Sequence, residues 1–176
     1  MGFSDSVKTC FRKYFTFSGR ASRPEYWWFF LFTILASIVA GILDGVFLGR
    51  ASARIDPTGA MFESSGPLAT IVTLGTIIPS MAAGWRRMHD SGRSGLFLLY
   101  PLIVLIGIGS FASLLGGFDA VSADNPQGLL VSASGLVLIL AMFVFAISPL
   151  LVLWWLTRPS QPGPNAYGPN PHEVTP

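Results

Sequence analysis

Five arginines, Arg20, Arg23, Arg86, Arg87 and Arg93, stand in two short segments with the acids Glu25 and Asp90 and the histidine His89. A guanidinium offers five donors in a planar fork, which suits two-pronged contacts with phosphate or carboxylate. Five cations against two anions leave a surplus of three positive charges. The chemistry this favours is electrostatic: binding of lipid headgroups, or of an acidic partner segment, at a membrane surface. A structural role is compatible with it. Glu25 and Asp90 would then pair with arginines and pin the second segment onto the first, with His89 donating one hydrogen bond.

Catalysis finds less support. His89 beside Asp90 invites comparison with metal-dependent phosphohydrolases, but one His and one Asp are too few ligands. The other histidine, His172, lies in the tail and there is no cysteine cluster, so neither metal nor cofactor is expected. No G-x-S-x-G elbow or P-loop occurs, and the Gly107/Gly109 pair sits inside an apolar run. The chain reads as a non-enzyme.

The elements that must position these residues are membrane spans. Of 176 residues, 51% are hydrophobic and only 11% charged, with a mean hydropathy of +0.58. A soluble domain carries about 25% charged residues, so this chain lacks the polar surface to face water. Four apolar stretches are long enough to cross a hydrocarbon core of about 30 Å: about 27–48, 68–85, 96–115 and 129–156. They do not alternate as outer-membrane strands do, so helices are expected. The expected fold is an all-α membrane protein with a four-helix transmembrane domain over 17–156. Pro79, Pro101 and Pro149 should bend or loosen their helices. The fourth stretch exceeds the required length, so it either tilts or begins near Leu136.

The distribution of Lys and Arg predicts orientation. Nine lie in the N-terminal segment, the second-to-third connection and the tail; only Arg50 and Arg54 lie on the other side. That bias predicts both termini in the cytoplasm, and Trp27, Trp28, Trp85, Trp154 and Trp155 then fall at the cytoplasmic ends. Residues 1–16 place Phe3, Val7, Cys10, Phe11, Tyr14 and Phe15 at helical spacing, with Ser4 or Asp5 as the N-cap. This predicts an amphipathic helix, either in the inner leaflet or packed on the protein's own cytoplasmic face. The lone Cys10 cannot form an internal disulfide; it offers a labelling site for testing orientation. The tail, 157–176, is rich in Pro and Gly. It is either disordered or docks the turn Gly163-Pro164-Asn165-Ala166-Tyr167-Gly168 on the cytoplasmic loops.

Asp44 is an acid inside the first span and so a candidate for transport. It lies four residues from the span's outer end, and no second buried ionisable group accompanies it. The small residues Ala36, Ala40, Gly41, Gly75, Gly107, Gly109, Ala141 and Ala146 read better as helix contacts.

Three motifs resemble those of the small bacterial inner-membrane proteins grouped as domain-of-unknown-function family 805. The first is Phe17-Ser18-Gly19-Arg20-Ala21-Ser22-Arg23-Pro24-Glu25-Tyr26-Trp27, and the second Arg86-Arg87-Met88-His89-Asp90. The third is the Gly163–Gly168 turn with Pro169-Asn170-Pro171. They occur in the family's order from Phe17 to Pro171. The resemblance implies a multi-pass bacterial inner (plasma) membrane protein and supplies no activity. The function expected is a non-enzymatic accessory, scaffold or small subunit engaging membrane partners or anionic lipids; the alternative is a small oligomeric transporter or channel. The expected partners are the lipid bilayer, further copies of the chain or a membrane-protein complex. No basic tract of the kind that follows a nucleic-acid backbone is present.

Overall fold

The computed structural model describes residues 1–48, 54–55, 61–62, 66–114, 133–171 and 173. Within them the chain runs through α1 (Phe3–Arg12), α2 (Arg23–Leu48), α3 (Pro67–Asp90), a 3-10 turn (Gly95–Leu99), α4 (Tyr100–Leu114) and α5 (Ala133–Thr157). Among the described residues, four helical stretches are long and apolar enough to cross a membrane: Arg23–Phe47, Pro67–Asp90, Gly95–Leu114 and Gly135–Thr157. Among the described residues, a short ribbon between the first two spans departs from the helical pattern. Arg54–Ile55 pairs antiparallel with Met61–Phe62, with Arg54 opposite Phe62 and Ile55 opposite Met61. The expected start of the last stretch at 129–132, and the connection at 116–128, lie outside the described residues.

The helices outrun the apolar stretches where the motifs begin. α2 starts at Arg23, four residues before Trp27, and α3 continues past Trp85 to Asp90. Arg86–Asp90 is therefore the last turn and more of a helix, not a connecting loop, and the connection shrinks to Ser91–Ser94. Hydropathy ends a span at its first charge; here the charges are buried and paired, so the helix continues.

Each proline meets a specific remedy. In a helix, proline at position i leaves the carbonyl at i−4 without its usual donor, a costly state in lipid. Pro79 orphans the Gly75 carbonyl, and the Tyr14 hydroxyl donates to it at 3.0 Å. Pro149 orphans the Phe145 carbonyl, and the buried Ser148 hydroxyl donates to it at 2.8 Å. Pro101 is the second residue of α4 rather than an interior one. The Phe97 carbonyl takes the Tyr100 N–H, which closes the 3-10 turn.

α2 packs along α3, and α4 along α5. The two pairs join at the end that carries α1 and the tail, where Met88, Val152 and Leu156 form a buried cluster flanked by Tyr26, Trp27, Leu98, Tyr100 and Trp155. α1 lies against α2 and α3. Ser6 and Cys10 are buried; Phe3 meets Trp28 edge-on, and Phe11 meets Phe29 and Phe32. Its apolar face is thus only partly covered by the protein itself: Phe3 and Phe11 remain exposed, as do Phe15, Lys8 and Arg12. The N-cap is Gly2 rather than Ser4 or Asp5; Asp5 sits at the third helical position and accepts from the Gly2 N–H at 3.4 Å.

Candidate functional site

The three motifs meet at that end of the bundle. Asp90, the last residue of α3, is fully buried at 0% exposure. Its Oδ1 accepts from Arg20 Nε at 2.9 Å, and its Oδ2 from Arg87 Nη1 and the Ser160 hydroxyl. One carboxylate therefore ties together the segment before α2, the end of α3 and the tail. Glu25, in the first turn of α2, accepts from Arg86 Nη2 at 3.1 Å, while Arg86 Nη1 donates to the Thr16 carbonyl at 3.3 Å. Arg86 and Arg87 are 1% and 0% exposed and Arg20 is 6% exposed.

Backbone carbonyls supply further acceptors for Arg20 and Arg87, whereas the buried Arg86 Nε has no partner among the described residues. Arg20 Nη2 donates to the Gln161 carbonyl at 2.6 Å, and Nη1 to those of Gly163 at 2.8 Å and Gly168 at 3.4 Å. Arg87 Nε donates to the Leu156 carbonyl at 3.0 Å, and its Nη2 to that of Arg158. The match is chemical: arginine carries five donors and no acceptor, and a segment rich in proline has carbonyls in excess of N–H groups. An extended tail is thus suited to capping buried guanidinium groups.

The tail is held in a defined turn. Asn165 and Gly168 pair backbone to backbone, the Asn165 amide accepts from the Tyr167 N–H at 2.9 Å, and its Nδ2 donates to the His89 carbonyl at 3.0 Å. Gly163 has φ +67°, a conformation that opposes a side chain. The Tyr167 ring stacks flat on His89, with centroids 3.8 Å apart. His89 Nδ1 lies 3.1 Å from the Gly19 carbonyl, and a carbonyl can only accept, so Nδ1 carries the proton. The exposed Glu173 accepts from the Gly163 N–H and from Asn170 Nδ2, each at 2.8 Å; the backbone bond first, then the amide, holds its carboxyl below the usual range.

The site thus gathers Gly19, Arg20, Glu25, Arg86, Arg87, His89, Asp90, Gly163, Asn165, Tyr167 and Gly168. Tyr26 and Trp27 sit beside it, packed on Met88, Val152 and Leu156. Arg23 and Arg93 do not enter it. Arg23 is exposed and donates through Nε to the Arg158 carbonyl at 2.9 Å. Arg93 is half-buried, with its guanidinium 5.6 Å from the centre of the Trp155 ring. Motif reading missed Ser160 and Gln161. Their signal was position: they are the polar residues of a proline-rich stretch directly after the last span.

Asp44 stands apart, near the opposite end of α2. It is buried, and its carboxylate accepts from the N–H groups of Leu68 at 3.1 Å and Ala69 at 2.8 Å. Asp44 therefore caps α3 from the neighbouring helix, beside Gly66, the N-cap residue that has no side chain of its own to do so. Among the described residues, no group of three or more His, Cys, Asp or Glu side chains is placed to hold a metal.

Four apolar helices closed at one end by a buried ionic knot define a multi-pass helical membrane protein. The chain belongs to the family described as "Protein of unknown function (DUF805)", which matches residues 14–128. The match takes in the first two motifs and ends before the tail, short of the reach to Pro171 that the motifs suggested. Among similar proteins, inner membrane protein YhaH of Escherichia coli strain K12 is 38% identical over 96 residues, 54% of this chain and 71% of that protein. Inner membrane protein YhaI of the same strain is 32% identical over 96 residues, 54% of this chain and 70% of that protein. No solved structure matches the chain.

Proposed function

We propose that the protein is a non-enzymatic accessory or small subunit of the bacterial inner membrane. Its cytoplasmic face would engage membrane partners or anionic lipids. The observation that carries the proposal is the division of labour among its charges. The knot consumes Glu25 and Asp90 internally and buries Arg20, Arg86 and Arg87, while Lys8, Arg12, Arg23 and Arg158 stay exposed at the same end. A rigid, net-positive face beside exposed tryptophans suits the headgroup layer of an anionic leaflet.

The same charges favour a cytoplasmic location for both termini, since positive residues are retained on that side. α1 suits a helix lying in the inner leaflet: Phe3 and Phe11 stay partly exposed, Lys8 and Arg12 are exposed, and Tyr14, two residues beyond the helix, reaches the Gly75 carbonyl of α3. Transport by way of Asp44 finds less support, because both carboxylate oxygens are committed to the start of α3.

Detergent-free extraction followed by mass spectrometry of co-purifying proteins and lipids tests the proposal. A stoichiometric membrane partner or a selectively enriched anionic lipid is expected; recovery of the chain with neither would overturn it.

A further inference from the structure

Every acid among the described residues has an assigned task. Asp5 caps α1, Glu25 pairs with Arg86, and Asp44 caps α3. Asp90 holds Arg20 and Arg87, and Glu173 holds the tail turn. The remaining four acids, Asp56, Glu63, Asp119 and Asp124, follow α2 or α4 in the sequence and lie outside the described residues. No carboxylate among the described residues pairs with Arg23 or Arg158, although the two are tied together by the 2.9 Å bond from Arg23 Nε to the Arg158 carbonyl.

Both are exposed, and each retains a guanidinium edge that makes no hydrogen bond within the described chain. Arg23 uses only its Nε, and the Arg158 guanidinium lies 5.0 Å from the centre of the Trp154 ring. Trp27 packs against the cluster of Met88, Val152 and Leu156, which gathers the start of α2, the end of α3 and the end of α5. Trp28 and Trp154 are 40% and 51% exposed at the same level, where indole rings favour headgroups. Arg87 and Arg20 lie just behind, sharing a single Asp90 charge between them.

We infer that Arg23 and Arg158 form a two-pronged site for the phosphate of an anionic phospholipid, seated where α2 begins and α5 ends. This rests on the accessory-protein reading with its basic face turned to the inner leaflet, and it moves the lipid-binding residues away from the buried arginines. Two exposed guanidinium groups carried by residues in direct contact can satisfy a phosphate's oxygens through charge-assisted bonds that a neutral headgroup cannot fully use, because choline brings its own cation to the site.

The test uses the full chain in nanodiscs containing phosphatidylglycerol and phosphatidylcholine, with retained lipid counted by native mass spectrometry. The wild type should retain phosphatidylglycerol selectively. R23Q/R158Q should weaken that retention roughly thirtyfold, the loss expected for two arginine contacts near a charged surface. K8Q/R12Q removes as much charge from the same basic face and should weaken retention clearly less than R23Q/R158Q does. Protection of Cys10 from maleimide reports that each variant is folded. Equal loss in both double variants would overturn the site in favour of diffuse charge. A larger thermal shift from inorganic phosphate in phosphatidylcholine discs than from phosphatidylglycerol would overturn the lipid as its occupant. If the wild type retains no phosphatidylglycerol but brings a protein partner from native membranes, the site fails and the accessory reading stands. If it brings neither, both fail.

Discussion

At the scale of single residues, burial decides what each reactive group can do. Cys10 is fully buried, and that burial, with the Glu25 charge adding to it, pushes its thiol up to about 12. The thiolate is the form that alkylates, so in the folded protein at pH 8 Cys10 should resist N-ethylmaleimide and react only on unfolding. Its labelling rate across a temperature ramp should follow the melting curve; fast labelling well below the transition would show that the α1–α2 packing is wrong. The same shift has a sign for stability. The folded value lies above the ordinary one of 9.0, so the neutral thiol's contribution is complete below about pH 9 and lost as pH rises towards 12. Asp44 is likewise fixed by its surroundings. Asp44→Ala removes a cap that serves two N–H groups and should cost about 1–2 kcal/mol in thermal unfolding. Gly66→Ala should also destabilise, because a methyl group there would collide with the Asp44 carboxylate. In proteoliposomes, an ion flux that Asp44→Asn abolished would restore a transport role.

At the scale of elements, hydropathy located the four spans but not their ends. Trp85 looked like the end of α3 because Arg86 and Arg87 follow it, and a hydropathy window cannot register that their charge is matched by Glu25 and Asp90, 61 residues away for one and a single turn away for the other. Proline chemistry was partly readable. Ser148 adjoins Pro149, so a local hydroxyl remedy was visible in the sequence, whereas Tyr14 reaches Gly75 across 61 residues and left no local trace. The two remedies make one prediction in two places. Ser148→Ala and Tyr14→Phe each leave a carbonyl orphaned in an apolar setting, and each should lower stability by about 1–3 kcal/mol without shifting the spans. Chemical or thermal unfolding in matched bicelles would measure it, and full stability in Tyr14→Phe would mean that lipid headgroups or water reach Gly75 instead. The tail's Gly-x-Asn-x-Tyr-Gly turn was legible as a turn. Its docking was one of the two readings left open; the acceptors it brings to Arg20 were not legible, because they are backbone carbonyls that no residue type announces.

At the scale of the whole molecule, the buried knot and the apolar cluster of Met88, Val152 and Leu156 lie together where the two helix pairs join. Ser18 is exposed beside the knot, and Cys10 is silent, so a Ser18→Cys chain carries one reactive thiol; a membrane-impermeant maleimide should modify it only after permeabilisation if that face is cytoplasmic. Labelling of intact cells would reverse the orientation. The knot's own contribution is tested by Asp90→Asn, which keeps the shape and removes the charge that Arg20 and Arg87 share. Two guanidinium groups would then remain buried against carbonyl dipoles alone, and breaking such a pair typically costs about 3–5 kcal/mol. Because Arg20 also holds the Gln161, Gly163 and Gly168 carbonyls, the cost should appear first as release of the tail. Limited chymotryptic proteolysis should cut Asp90→Asn after Tyr167, whose ring is stacked on His89 in the docked tail, under conditions that leave Asp44→Asn protected there, although both lose a buried acid. The α4–α5 pair should then exchange amide hydrogens faster relative to α2–α3, since α5 and the tail supply the acceptors that Arg87 loses last. Retention of the wild-type midpoint and a protected tail in Asp90→Asn would mean that apolar packing around Met88 and Leu156, rather than the shared charge, holds the two pairs together.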